Sequence, residues 1–178
     1  MNNQPDHDGD IAAPVFVEDL FLTDVFLIKG RLQNKTKRLS NMLEDHGRSY
    51  LTVEDATLIA LRSNEVIRTP KVTVNVRELI CAHELVEVAG DDAMRRLADN
   101  DKQHAIRAFY NGAVQFELSG NIEPGAYDSQ LLQGREYFIM QSPRFRGLDL
   151  DHEELKVLAE LDYAILRKDR MAYVYDFA

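Results

Sequence analysis

The densest run of positive charge, Lys29, Arg31, Lys35, Lys37 and Arg38, falls on an apolar segment's end and the polar stretch after it, and a second pair, Arg144 and Arg146, flanks Phe145. Cations at such spacing can neutralise successive phosphates, and paired arginines can grip a phosphate or a cyclic nucleotide bidentately. These seven residues are the candidate anion contacts. The opposing reading is a solvated basic edge. The matching region of the second half carries Ser119, Asn121, Pro124 and Tyr127 instead of cations, and no aromatics able to stack bases interleave with the charges.

Catalytic and metal chemistry find less support. His83-Glu84-Leu85-Val86-Glu87 shares its first two residues with a zinc-protease helix, but Glu87 stands where the second histidine is needed. The segment reads as a strand with a surface-facing polar pair at its end. His7, His46, His83, His104 and His152 show no ligand spacing, so neither metal nor cofactor is expected. Ser40 and Ser129 are explained as helix caps, and no Gly-x-Ser-x-Gly elbow or glycine-rich phosphate loop occurs. Asp149, Asp151, Glu153 and Glu154 cluster where a turn is expected, which accounts for their charge. Cys81, the single cysteine, reads as a small buried apolar side chain in a reducing compartment. An enzyme is not expected.

Self-comparison reveals the elements that would carry these residues. Phe26, Ile28, Gly30 and Leu32 alternate with other residues as Phe116, Leu118, Gly120 and Ile122 do, the period of a strand with one buried face. Ser40-Asn41-Met42-Leu43 and Ser129-Gln130-Leu131-Leu132 read as short capped helices. Gly47-Arg48-Ser49-Tyr50-Leu51-Thr52-Val53 then matches Gly134-Arg135-Glu136-Tyr137-Phe138-Ile139-Met140, with the glycine ending the helix in a left-handed conformation. Hairpins follow, through Ser63-Asn64-Glu65 in one half and Asp151-His152-Glu153 in the other, and closing strands are expected over 79–86 and 171–177. Asn111-Gly112 between apolar runs signals a tight type I′ hairpin.

The expected architecture is therefore mainly β: two tandem, partly closed small barrels, each with one short helix. Copy 1 spans 15–88, a linker helix 89–104, and copy 2 105–178, behind a disordered tail over 1–14. The strands expected over 66–76 and 171–177 are the candidate interface, the latter with Tyr173, Tyr175 and Phe177 on one face unless they fill the second core.

Arg38-Leu39-Ser40-Asn41-Met42-Leu43 and Glu54-Asp55-Ala56-Thr57 in the first half, and Lys168-Asp169-Arg170-Met171 in the second, resemble the motifs of an uncharacterised bacterial family of short Sm-like β modules, whose pattern includes Arg-Leu-Ser-Asp-x-Leu. The second half departs from it, with Tyr127-Asp128-Ser129 where Arg-Leu-Ser belongs. The resemblance implies an Sm-like fold and carries no activity.

Net charge is −9 over 178 residues, which repels nucleic acid and anionic lipid at long range. The acidic start, with Asp6, Asp8 and Asp10, lacks the features of a secretory signal, and no apolar run is long enough to span a bilayer, so a cytoplasmic location is expected. The function these observations favour is protein–protein interaction or scaffolding, with other proteins or further copies of the chain as partners. The alternatives are an RNA- or DNA-binding Sm-like protein using 29–38 and a cyclic-nucleotide or small-molecule sensor using Arg144 and Arg146.

Overall fold

A computed structural model describes residues 18–45, 47–85, 103–128 and 134–177. The expected tail, the linker helix up to residue 102, and the second short helix over 129–132 lie outside them.

The described chain is mainly β, with ten strands in one antiparallel sheet. They are β1 (Asp19–Leu22), β2 (Phe26–Leu32), β3 (Tyr50–Ala60), β4 (Val66–Asn75), β5 (Cys81–Glu84), β6 (His104–Tyr110), β7 (Phe116–Ile122), β8 (Tyr137–Arg146), β9 (Tyr163–Arg167) and β10 (Tyr173–Asp176). A single short helix, α1 (Leu39–Leu43), joins β2 to β3. The spatial order is β10-β6-β7-β8-β9-β5-β1-β2-β3-β4. Each half thus places its last strand beside its first and runs out through the second and third to the fourth.

Local chemistry repeats as well. β2 and β7 each break register against the following strand at a glycine, between Lys29 and Arg31 and between Ser119 and Asn121. A Cβ on Gly30 would lie 2.7 Å from the Glu54 carbonyl oxygen, and one on Gly120 2.6 Å from that of Gln141. In both cases the next residue of the facing strand, Asp55 at φ 48° or Ser142 at φ 49°, is left-handed. A bulge pressed against a side-chain-free position bends both strand pairs alike. A 3-10 turn then separates the fourth strand from the fifth in each half, Val76–Glu78 and Lys168–Arg170.

The sheet does not close into barrels. The expectation of partly closed barrels rested on each small module hiding its own edges. Instead β5 pairs with β9, Cys81 opposite Leu166 and Ala82 opposite Ile165, so two inner edges satisfy one another. The seam also shares the cores. Tyr137, Tyr163 and Ile165 pack with Phe21, Leu51, Val53 and Leu79, while Leu20, Leu22, Ile80 and Cys81 pack with Leu118, Met140 and Leu166.

Several local expectations are corrected. No hairpin turns at Asp151-His152-Glu153: residues 147–162 make an excursion containing the 3-10 turn Lys156–Ala159. Leu155, Leu158 and Leu161 recur at the three-residue period of that helix and bury in the same core as Leu20, Leu27 and Ile59. Ser40 sits inside α1 and caps nothing; Arg38 is the N-cap position, and the Leu39 N–H donates 3.0 Å to the Glu84 carboxylate. Of the two glycines expected to end helices, Gly134 is left-handed at φ 91° and Gly47 is not. Asn111 and Gly112 connect paired strands without positive φ, so their hairpin is not type I′. The Asn64 turn keeps its expected form, with φ 57° and Ala60 N–H donating to Glu65 across 2.9 Å.

Candidate functional site: the open edges of the sheet

An open sheet has two outer strands whose outward N–H and C=O groups lack a ladder. Here they are β4 and β10. Beside them stand most of the exposed large apolar side chains of the described residues: Tyr173 at 71% exposure, Tyr175 at 59% and Phe177 at 50% on the β10 side, and Tyr50 at 59% with Ile67 on the β4 side. The three aromatics do not fill a core. Tyr175 meets Phe177 edge-on with ring centres 4.8 Å apart, and the Arg107 guanidinium lies 5.5 Å from the Phe177 ring. β10 is anchored from behind, where Asp176 accepts from the Tyr127 hydroxyl at 3.0 Å and lies 3.0 Å from His104 Nε2.

The two edges are not equally bare along their lengths. β4 carries exposed Arg68, Pro70 and Lys71 in its first part. Proline offers no N–H, and a charged neighbour discourages strand addition. Its second part, from Val72 to Asn75, lacks both devices.

The buried seam between the halves shows what an edge of this sheet looks like when occupied. Arg167 donates its backbone N–H to the Ile80 carbonyl at 3.0 Å, and its guanidinium reaches the Val76 carbonyl at 3.2 Å and the Tyr137 hydroxyl at 3.1 Å. Asp169 and Glu136 flank it at 2.6 and 3.2 Å. His83 and Tyr163 pack ring on ring at 4.4 Å, with His83 Nδ1 donating to the Tyr163 carbonyl at 2.9 Å. Burial holds the His83 imidazole below its usual pKa against opposing pulls from Asp162, the Tyr163 carbonyl and Glu84.

Three of the cations singled out from the sequence are paired with carboxylates. Lys29 pairs with Glu154, and Arg31 with Asp55. Lys35 is drawn inward between Asp19 at 2.5 Å and Glu84 at 2.6 Å. Lys37 and Arg38 are exposed on the segment leading to α1. Arg144 and Arg146 are exposed on β8, where Phe145 between them and Pro143 before them are buried, and Arg146 lies 3.5 Å from Glu117. Glu154 also accepts from Arg68 at 3.2 Å, and Asp149 from Asn64 at 2.7 Å, so two of the clustered carboxylates tie the 147–162 excursion to the first half.

His83 and Glu84 do lie on a strand, as their pattern implied, but both are buried rather than facing solvent. β5 has neighbours on either side, which a strand read alone does not reveal. Cys81 is buried, and desolvation pushes its thiol up to about 12. Among the described residues no group of three or more His, Cys, Asp or Glu is placed to hold a metal ion. No described helix is long and apolar enough to cross a membrane.

Sequence reasoning missed Tyr50 as an edge residue and Arg167 as the seam's tie. Tyr50 had already been aligned with Tyr137, but their difference depends on a neighbour that only one of them has. A lone arginine ending the apolar strand Tyr163–Arg167 was the available signal for the other.

Fold and edges together define a mainly β protein built on one open antiparallel sheet. No family model, curated protein or solved structure matches the chain.

Proposed function

We propose that the chain is a non-catalytic assembly protein, a five-strand β module present twice, whose open edges take up protein strands by β-addition. The observation that carries this reading is β9 adding to β5, a strand of one half completing the sheet and core of the other. The repeated strand order, the paired bulges at Gly30 and Gly120, and the exposed aromatics of β10 support it. The Arg38-Leu39-Ser40-Asn41-Met42-Leu43 motif forms α1 and its N-cap, in keeping with the Sm-like resemblance. A reducing, cytoplasmic setting suits the one buried cysteine. Anion binding is the weaker reading, because Lys29, Arg31 and Lys35 already face carboxylates.

The test is proline scanning of the outer ladders. The Arg167 N–H faces the seam, and alternation along the strand puts the N–H of its counterpart Asn75, and that of Thr73, on the side of β4 away from β3. On β10 the Phe177 N–H donates to Ala105, so that of Val174 points outward. Thr73→Pro and Val174→Pro each remove an outward donor without touching the inner ladder. Light scattering over a concentration series and affinity capture are expected to show association in the wild type, lost in these variants at unchanged melting temperature. Association or capture identical in wild type and both variants would rule the reading out, as would their absence from the wild type.

A further inference from the structure

The partner strand that best fits these edges is the chain's own. Resting on the reading of the edges as strand acceptors, we propose that β10 of one molecule adds to β4 of the next, head to tail, in the register that β5 and β9 hold within the chain.

The seam joins two distinct kinds of strand. β9 immediately precedes a 3-10 turn, and β5 follows one. The strands left open are the other members of the same two kinds: β4 leads into Val76–Glu78, and β10 comes after Lys168–Arg170. Because the two edges differ, each molecule offers one acceptor and one donor, and the contact is heterologous and propagates.

The internal register can be carried across residue by residue. Leu166 opposite Cys81 becomes Val74 opposite Tyr173, and Ile165 opposite Ala82 becomes Thr73 opposite Val174. The next steps set Val72 opposite Tyr175 and Lys71 opposite Asp176, which brings opposite charges together. β9 corresponds only to the second part of β4, so the pairing falls beyond Pro70, where the edge is open.

Tyr50 gives independent support. Its counterpart, Tyr137, is only 3% exposed, covered by the seam, with its phenol 3.5 Å from the carbonyl of Val76. Tyr50 stands opposite Asn75 as Tyr137 stands opposite Arg167, but it is 59% exposed. The counterpart of Val76 is Lys168. A neighbouring β10 would bring the Lys168 carbonyl over Tyr50 and set the exposed Tyr173 beside Val74 on the opposite face, removing apolar surface at both ends of the sheet in one contact.

Two experiments test the register. Val72→Cys and Tyr175→Cys, each combined with Cys81→Ala and checked for wild-type melting, are mixed and oxidised; directly opposed cross-strand positions lie within disulfide reach. A disulfide between the two variants, and none from either alone, is expected. In the second, Tyr50→Arg blocks only the acceptor end and Tyr173→Arg only the donor end, both at exposed positions that leave the fold intact. Each alone is expected to lose association about tenfold, the loss of ~1.4 kcal/mol, while their equimolar mixture forms a complex that stops at two chains. A Val72→Cys disulfide with itself, or a mixture no more associated than its components, overturns the head-to-tail pairing. If Thr73→Pro and Val174→Pro still abolish capture of another protein in that case, strand addition at the edges survives and only the identity of the partner is wrong.

Discussion

The phenol of Tyr137 lies 3.5 Å from the carbonyl oxygen of Val76, a residue of the other half of the chain, and accepts a hydrogen bond from Arg167 at 3.1 Å. Tyr137, Arg167 and Val76 thus close the line along which the two halves share one sheet. The same atoms that hold the seam also mark what the outer edges lack.

Arg167→Met is expected to destabilise the protein by about 2 kcal/mol, because the buried Val76 carbonyl and Tyr137 hydroxyl each lose a partner worth about 1 kcal/mol. Asp169 and Glu136 are partly exposed and recover water, so they add little. Tyr137→Phe removes one of these bonds and should cost about 1 kcal/mol. Urea unfolding measures both; a neutral Arg167→Met would mean that the backbone ladder and the apolar contacts hold the seam without the guanidinium.

Gly30→Ala and Gly120→Ala should cost nearly the same, about 2 kcal/mol each, as overpacking at a closed position does. The new Cβ would meet the Val53 side chain and Glu54 carbonyl at 2.7 Å in one case, and the Met140 side chain and Gln141 carbonyl at 2.6 Å in the other. Thermal unfolding of the two variants compares them. A large inequality would show that the two bulges are alike in shape but not in constraint.

The strands were legible because their alternation is local: one buried face leaves a two-residue period that needs no knowledge of the partner. Gly30 and Gly120 stood out as equivalent members of that alternation, but the bulge at each depends on the facing strand and could not be read from it. The pairing of β5 with β9 was not, because nothing in Cys81–Glu84 or Tyr163–Arg167 names its neighbour. That one omission accounts for the expectation of closed barrels and of a surface-facing His83-Glu84. The excursion over 147–162 was misread for another reason: Leu155, Leu158 and Leu161 satisfy a three-residue period that is easily taken for a broken strand. The aromatics of the last strand are exposed, as an alternating pattern read by itself allows, whereas the carboxylates that face Lys29 and Lys35 come from distant parts of the chain and are not signalled by the cations' own spacing.

Lys35→Met is expected to cost about 3 kcal/mol at pH 7, since it strands the buried carboxylate of Asp19 beside Glu84. Burial raises the Asp19 pKa above 3.8, and Lys35 pulls against that rise. A carboxyl whose folded pKa is raised favours folding fully below 3.8 and loses that contribution as pH climbs through the folded value. Removing the lysine lifts the folded value further, so the variant's deficit should be greatest near neutrality and shrink on acidification. Unfolding free energies of the variant and wild type between pH 4 and 7, with Lys35→Arg as the charge-preserving control, measure this; a deficit constant with pH would trace the loss to the lysine's packing rather than its charge.

His83 should give the protein an opposite, acid-side sensitivity. Its imidazole is buried at the seam against Tyr163, and its pKa is lowered from 6.5 chiefly by desolvation. The unfolded chain then binds a proton that the folded chain resists, so this group's contribution is complete above pH 6.5 and falls as pH drops from there through the lowered folded value. One such proton limits the slope to about 1.4 kcal/mol per pH unit. His83→Phe keeps a ring against Tyr163 while removing the titration, and at pH 7.5 it should lose about 1 kcal/mol for the missing bond to the Tyr163 carbonyl. Below pH 6.5 its stability should decline less steeply than the wild type's, and the two curves should converge. Parallel curves across that range would place the acid sensitivity elsewhere than in the ring between the two halves.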